Sequence, residues 1–119
     1  MNILLVDDDD LILASLPTLL EVLGHQVTTA DRGAKALALL QDGPEPDLVI
    51  MDVTMPDLSG VETLVRLRAF KPVLPVLLAT GNVDTAVEDA IARDPNARVI
   101  GKPFTLAQIR TMLAATGAV

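Results

Sequence analysis

Five short strand-like runs, Ile3 to Val6, Gln26 to Ala30, Leu48 to Met51, Pro75 to Ala79 and Ala97 to Ile100, alternate along the chain with five stretches of helical periodicity. After the first run, Leu13, Leu16, Leu20 and Leu23 recur at steps of three or four up to Gly24, one apolar stripe followed by a stop residue. Asp9 or Asp10 can cap its start, and Pro17 inside it removes a backbone donor, which predicts a kink. Further helices are predicted over Ala34 to Gln41, from Val61 through Leu64 and Leu67, over Thr85 to Arg93, and from Leu106 through Ile109 and Leu113. The segments Asp42-Gly43-Pro44-Glu45-Pro46 and Thr54 to Gly60 read as loops, because their prolines and glycines continue neither element. Strands that are apolar runs, each followed by a helix, indicate a parallel sheet covered on both faces: a doubly wound α/β domain.

The 119 residues suffice for one such domain, 1–119, whereas two would each fall near the roughly 60-residue size at which burial becomes marginal. Half the residues are hydrophobic, but with two Phe, no Tyr and no Trp the core must be aliphatic and base stacking is unsupported. Nine basic against 16 acidic side chains, a net charge of −7, is the reverse of a phosphate-backbone binder, so no direct nucleic-acid binding is expected. Without cysteine there is no disulfide, thiolate zinc site or catalytic thiol, and the single His25 excludes a histidine cluster. Asp7 to Asp10 stand where a signal peptide needs its apolar stretch, and no apolar run is long enough to span a bilayer. A cytoplasmic protein with no membrane partner is expected.

In doubly wound sheets, ligands bind outside the carboxyl ends of the strands where the strand order reverses. Here those ends carry Asp7 and Asp8, Asp52, Thr80 and Lys102, while the second strand ends at Ala30 and Asp31 without an obvious candidate. If the first and third strands are neighbours, Asp8 and Asp52 become close carboxylates that cannot both ionise without a cation. Aspartates without histidine or cysteine are hard oxygen ligands suited to Mg2+, which often binds together with phosphate. Taken singly, each feature has an ordinary reading: acids cap helix starts, Asp52 can form a loop, Thr80-Gly81 a turn, and Lys102 can be a surface lysine. Their joint placement at four strand ends argues for chemistry.

The segments ILLVDDDD, LVIMDVTMPDLSG, LLATG and VIGKPF, in this order and spacing, resemble the receiver domain of two-component response regulators, the flavodoxin-like family that includes the single-domain chemotaxis regulator. The resemblance covers the entire chain. It implies a (βα)5 fold with strand order 2-1-3-4-5, and a phosphorylatable switch in a phosphorelay rather than an enzyme acting on other substrates. Asp52 would accept a phosphoryl group from the phosphohistidine of a sensor kinase or phosphotransfer protein. Asp8, Asp52 and the backbone carbonyl of Thr54 would hold Mg2+, with Asp7 helping through water. Thr80 would hydrogen-bond the phosphoryl group, Lys102 would pair with it, and the Lys102-Pro103 peptide would be cis. Thr54 and Asn82 would flank the path of hydrolytic water. A downstream protein or appended effector domain would receive the signal, and a phosphorylation-dependent dimer is a further expectation.

Other features have plainer readings. Pro56, after Met55, and Gly60 shape the loop after Asp52, the glycine by permitting unusual φ. His25 reads as a surface loop residue, and Phe70 and Phe104 as core or docking residues. Two positions depart from the family pattern: Pro17 in the first helix, and Val99, where many receivers place an aromatic switch residue. A rival enzyme class, the aspartate-nucleophile phosphatases of haloacid dehalogenase type, needs a second Asp two residues after the nucleophile, where this chain has Thr54, and a nucleophile on the first strand. A receiver-like dimerisation module that is never phosphorylated is opposed by the intact Asp8, Asp52, Thr80 and Lys102 set.

Overall fold

The structure, a computed structural model, describes residues 1–115. Val119, the last residue of the expected domain, lies outside the described residues, as does the side chain of Leu106 from the last expected stripe. The element order is β1 (Asn2–Val6), α1 (Asp10–Val22), β2 (Gln26–Ala30), α2 (Gly33–Asp42), β3 (Leu48–Asp52), α3 (Gly60–Arg68), β4 (Val76–Thr80), α4 (Thr85–Arg93), β5 (Ala97–Gly101) and α5 (Leu106–Ala115). All strand pairings are parallel and the order is β2-β1-β3-β4-β5, as the resemblance implies.

Because successive strand residues face opposite ways, the sheet feeds two cores. Leu4, Val6, Val49, Met51, Val76 and Leu78 pack with Ala36 and Leu40 of α2 and with Leu64 and Leu67 of α3. Ile3, Leu5, Leu48, Ile50, Leu77 and Ala79 pack with Leu16 and Leu20 of α1 and with Ile109 and Leu113 of α5. Each fully buried Leu or Ile contributes about 1.5 to 3 kcal/mol. Phe70 lies against the first core and Phe104 against the second, in keeping with their plain reading. No described helix is long and apolar enough to cross a membrane.

Two expectations are corrected, at β2 and at Gly60. The edge strand β2 is not a buried run: its residues alternate between exposed and covered, since only the inner strands have neighbours on both sides. His25 keeps its reading as a loop residue, outside helix and strand and partly exposed immediately before β2, with its Nδ1 3.1 Å from the Met1 ammonium; burial, then that ammonium, hold its pKa below the usual imidazole value. Gly60 has no positive φ; Gly24, at φ 93°, is the residue that uses the left-handed region, just past the end of α1. The helix α1 runs unbroken from Asp10 through Pro17 to Val22.

Candidate functional site

Order reverses between β1 and β3, which leave β1 flanked by β2 on one side and β3 on the other. At the carboxyl ends of β1, β3 and β5 the sheet ladder continues for one more bond each: Asp7 N–H donates to Ala30 O at 3.0 Å, Val53 N–H to Ala79 O at 3.0 Å and Lys102 N–H to Thr80 O at 2.7 Å. Backbone pairing therefore sets where the three loops leave the sheet. The Lys102-Pro103 peptide is cis, as expected from the resemblance.

Asp7, Asp8 and Asp52 each place a carboxylate oxygen so that the three atoms lie within 4.8 Å of one another. Two unit negative charges at that distance repel by about 3 to 4 kcal/mol at an effective dielectric constant near 20. Lys102 offsets part of this: its Nζ is 2.8 Å from Asp7 Oδ2 and 3.3 Å from Asp52 Oδ1. Burial lowers the lysine pKa, but the Asp7 hydrogen bond and the two carboxylates outweigh it, and the net shift is upward. For Asp52, burial is the largest effect and pushes the carboxyl above the ordinary aspartate value, with Lys102 opposing and Asp7 reinforcing the rise. Three ionised carboxylates against one ammonium leave two negative charges, the complement of a divalent cation, and an all-oxygen donor set suits Mg2+. The residues fit such a metal.

The three acids differ in their surroundings. Asp7 is 2% exposed; its Oδ1 accepts the Asp9 N–H at 2.9 Å while Oδ2 takes Lys102. Asp8 is exposed. Asp9 caps α1 by accepting the Leu11 N–H, and Asp10 lies in the first turn, where an acid complements the helix dipole. Asp52 contacts Lys102 and the Thr54 N–H, at 3.4 Å, through Oδ1; among the described residues no partner contacts its Oδ2.

Thr80 is buried at the end of β4, but its hydroxyl donates to Asn82 O at 2.9 Å and accepts the Asn82 N–H at 3.1 Å, a closed turn within its own loop. Thr54, Pro56, Asn82 and Pro103 are exposed around the carboxylates and the loops that carry them. Val99, on β5, is half-buried and lines a shallow groove with Gly101, Ala107 and Met112. A cavity of about 360 Å³, lined by Asn2, Gln26 and Pro44 among others, opens at the amino ends of β1 and β2, the opposite end of the sheet from the carboxylates.

Three residues escaped the sequence reading. Asp57 caps α2 from a distant loop; its only sequence trace is that α2 begins after Arg32, a poor capping residue. Arg68 Nε meets Asp94 Oδ2 at 2.6 Å while Nη1 binds the Lys71 and Leu74 carbonyls, tying α3 to the end of α4. Thr63 is buried, its hydroxyl donating to Ser59 O.

The chain matches the response regulator receiver domain family over residues 3–114. It is 36% identical over 123 residues to the probable transcriptional regulatory protein TcrX of Mycobacterium tuberculosis, covering 98% of this chain and 51% of that protein. It is 39% identical over 110 residues to the transcriptional regulatory protein PrrA of Mycobacterium bovis, covering 91% of this chain and 46% of that one. It thus spans about half the length of either regulator. Among solved structures, a CheY-like response regulator receiver domain protein of Methanospirillum hungatei superposes with a TM-score of 0.87 at 26% identity, over 96% of this chain and 90% of that one. With the strand order, the acidic triad and the lysine in place, the match completes the assignment: this chain belongs to the response regulator receiver domain family of two-component signalling.

Proposed function

We propose that Asp52 is the phosphoacceptor of a two-component switch, and that residues 1–119 form one receiver unit. The observation that carries this reading is the convergence of Asp7, Asp8 and Asp52 within 4.8 Å beside the Lys102 ammonium. An Asp52 carboxylate oxygen forms the new P–O bond to phosphorus, and the bond from phosphorus to the donor's imidazole nitrogen breaks. Its electron pair stays on the imidazole, which takes up a proton. Asp8, Asp52 and the Thr54 carbonyl would hold Mg2+, with Asp7 acting through water; when bound, the ion neutralises charge on the incoming phosphoryl oxygens. Lys102, already beside Asp52, would pair with a phosphoryl oxygen. Thr80 can donate to the phosphoryl group only by giving up its hydroxyl bond to Asn82 O, so its turn would loosen and the Gly81 to Asp84 loop would move.

Thr54 and Asn82 would set the lifetime of the acyl phosphate through their size and polarity. The donor would be the phosphohistidine of a sensor kinase or phosphotransfer protein. The output would be a downstream protein or an appended effector domain, in line with relatives about twice this length, and a phosphorylation-dependent dimer is part of the proposal. Cytoplasmic placement belongs to the same reading, as does chemistry confined to self-directed phosphoryl transfer and hydrolysis. A haloacid-dehalogenase-type phosphatase is disfavoured by the position of Asp52 on β3 and by Thr54 where the general acid would stand.

The test is intact mass after incubation with acetyl phosphate. The wild-type chain should gain one phosphoryl group only with Mg2+ present, and should then stall without turning over a generic phosphate ester. A gain retained in Asp52→Asn sinks the assignment.

A further inference from the structure

The start of α2 is capped from outside its own segment. Arg32 holds the capping position but makes no side-chain capping bond. Instead, both oxygens of Asp57, in the loop after β3, bind the helix start: Oδ1 accepts the Gly33 N–H at 3.1 Å and Oδ2 the Ala34 N–H at 2.9 Å, across 24 and 23 residues of sequence. These backbone donors, Ala34 foremost, hold the Asp57 carboxyl below the ordinary aspartate value, so it is anionic at neutral pH. The contact is close-packed as well as polar. A Cβ on Gly33 would stand 2.5 Å from Thr63 Oγ1 and 3.0 Å from Leu58 Cβ, so α2 begins directly against the loop and α3.

The near end of the same loop is fixed at Val53, whose N–H donates to Ala79 O at 3.0 Å and whose carbonyl accepts the Gly60 N–H at 2.7 Å. Between Val53 and Asp57 lie Thr54, Met55 and Pro56. Thr54 is exposed and its backbone makes one contact among the described residues, the 3.4 Å approach of its N–H to Asp52 Oδ1, near the outer limit of a hydrogen bond. The placement of its carbonyl therefore depends on the two anchors at either side.

We propose that Asp57 is a positioning residue for the metal site: by pinning the loop to the start of α2, it holds the Thr54 carbonyl toward Asp8 and Asp52. This rests on the reading of that carbonyl as a Mg2+ ligand. Groups that orient metal ligands typically change affinity by 10- to 100-fold when removed. The coupling is reciprocal, so bound metal must steady the Asp57 contact with α2 in the same measure.

The experiment measures Mg2+ affinity of the full chain by titration calorimetry, alongside Tm, for wild type, Asp57→Ala and the double variant Arg32→Ser/Asp57→Ala. Serine at position 32 supplies a local cap to α2 without reconnecting the loop. Titrations run near 1 M salt, where the Debye length is about 3 Å and the loss of a remote charge is screened. Asp57→Ala should bind Mg2+ on the order of tenfold more weakly. The double variant should stay weak although its Tm recovers, and Mg2+ should slow exchange of the Ala34 amide in wild type alone. Unchanged affinity in Asp57→Ala, or affinity that recovers with Tm in the double variant, overturns the proposal. If Asp57→Ala does not fold, Asp57→Asn, which keeps one acceptor oxygen, takes its place and must still bind more weakly than wild type. Failure of wild type to bind Mg2+ at all overturns the metal reading itself, and this inference with it.

Discussion

The first residue of α3, Gly60, backs directly onto the main chain of Asp52: a Cβ at position 60 would stand 2.5 Å from the Asp52 carbonyl oxygen and 2.9 Å from Val53 Cα. The Gly60 N–H meanwhile donates to Val53 O at 2.7 Å. The glycine is required by proximity and not by its backbone angles.

Gly60→Ala therefore forces α3 away from β3, because the atoms in the way are backbone and cannot rotate aside. The expected destabilisation is about 1 to 3 kcal/mol, the range of overpacking, read as a lower urea midpoint at unchanged m-value. The same variant should lose phosphorylation rate from acetyl phosphate, since the displaced backbone carries Asp52.

Asp52→Asn should raise stability in Mg2+-free buffer at neutral pH. Burial raises the Asp52 pKa, so the folded protein holds the proton more tightly than the unfolded chain does. That contribution is present at acid pH and is lost as pH rises through the folded value, which leaves an ionised carboxylate opposing folding at pH 7. Asn removes the opposition. Thermal unfolding should show a Tm gain of a few degrees at pH 7, where ~1 kcal/mol corresponds to about 4 °C for a domain of this size, with the gain shrinking toward acid. A lower Tm at pH 7 would contradict this account.

Asp7 and Asp8 should separate stability from metal binding. Asp8 is exposed and free to ligate, so Asp8→Ala should weaken Mg2+ binding on the order of tenfold with Tm nearly unchanged. Asp7→Ala should weaken Mg2+ less but lower Tm, because it takes from Lys102 its 2.8 Å partner and from the Asp9 N–H its acceptor. Equal Mg2+ losses in calorimetric titration would refute the assignment of Asp8 as the direct ligand.

Signal output should run through the β4 to α4 loop. Residues 81–86 are all exposed, and the loop's polar ties are the Thr80–Asn82 turn and the Asp84 cap on α4. Val99 has a single χ and no ring to swing into the space that Thr80 vacates. Adding a beryllofluoride phosphoryl mimic should shift the amide resonances from Thr80 through Ala90 strongly and those around Val99 modestly. Dominant shifts on α1 near Pro17 would place the output face elsewhere.

The elements and the principal candidate site residues are legible in the sequence because both depend on local pattern. Short strand-like runs mark the five strands to within one position at either end. Strand ends are where such a sheet gathers its chemistry, which singles out Asp7, Asp8, Asp52, Thr80 and Lys102 as candidates. What the linear pattern could not carry is partnership between side chains far apart in sequence. Lys102 is 95 residues from Asp7, Arg68 is 26 from Asp94, and Asp57 is 24 from Gly33. Their pairings exist only once the sheet has brought the loops together. Gly60 shows the same limit in steric form: its sequence suggests a flexible φ, but the folded chain uses its missing Cβ to let α3 touch the backbone of Asp52. Periodicity is set by where each residue falls on its own helix or strand, whereas these contacts are set by distances between elements, and those only tertiary packing decides.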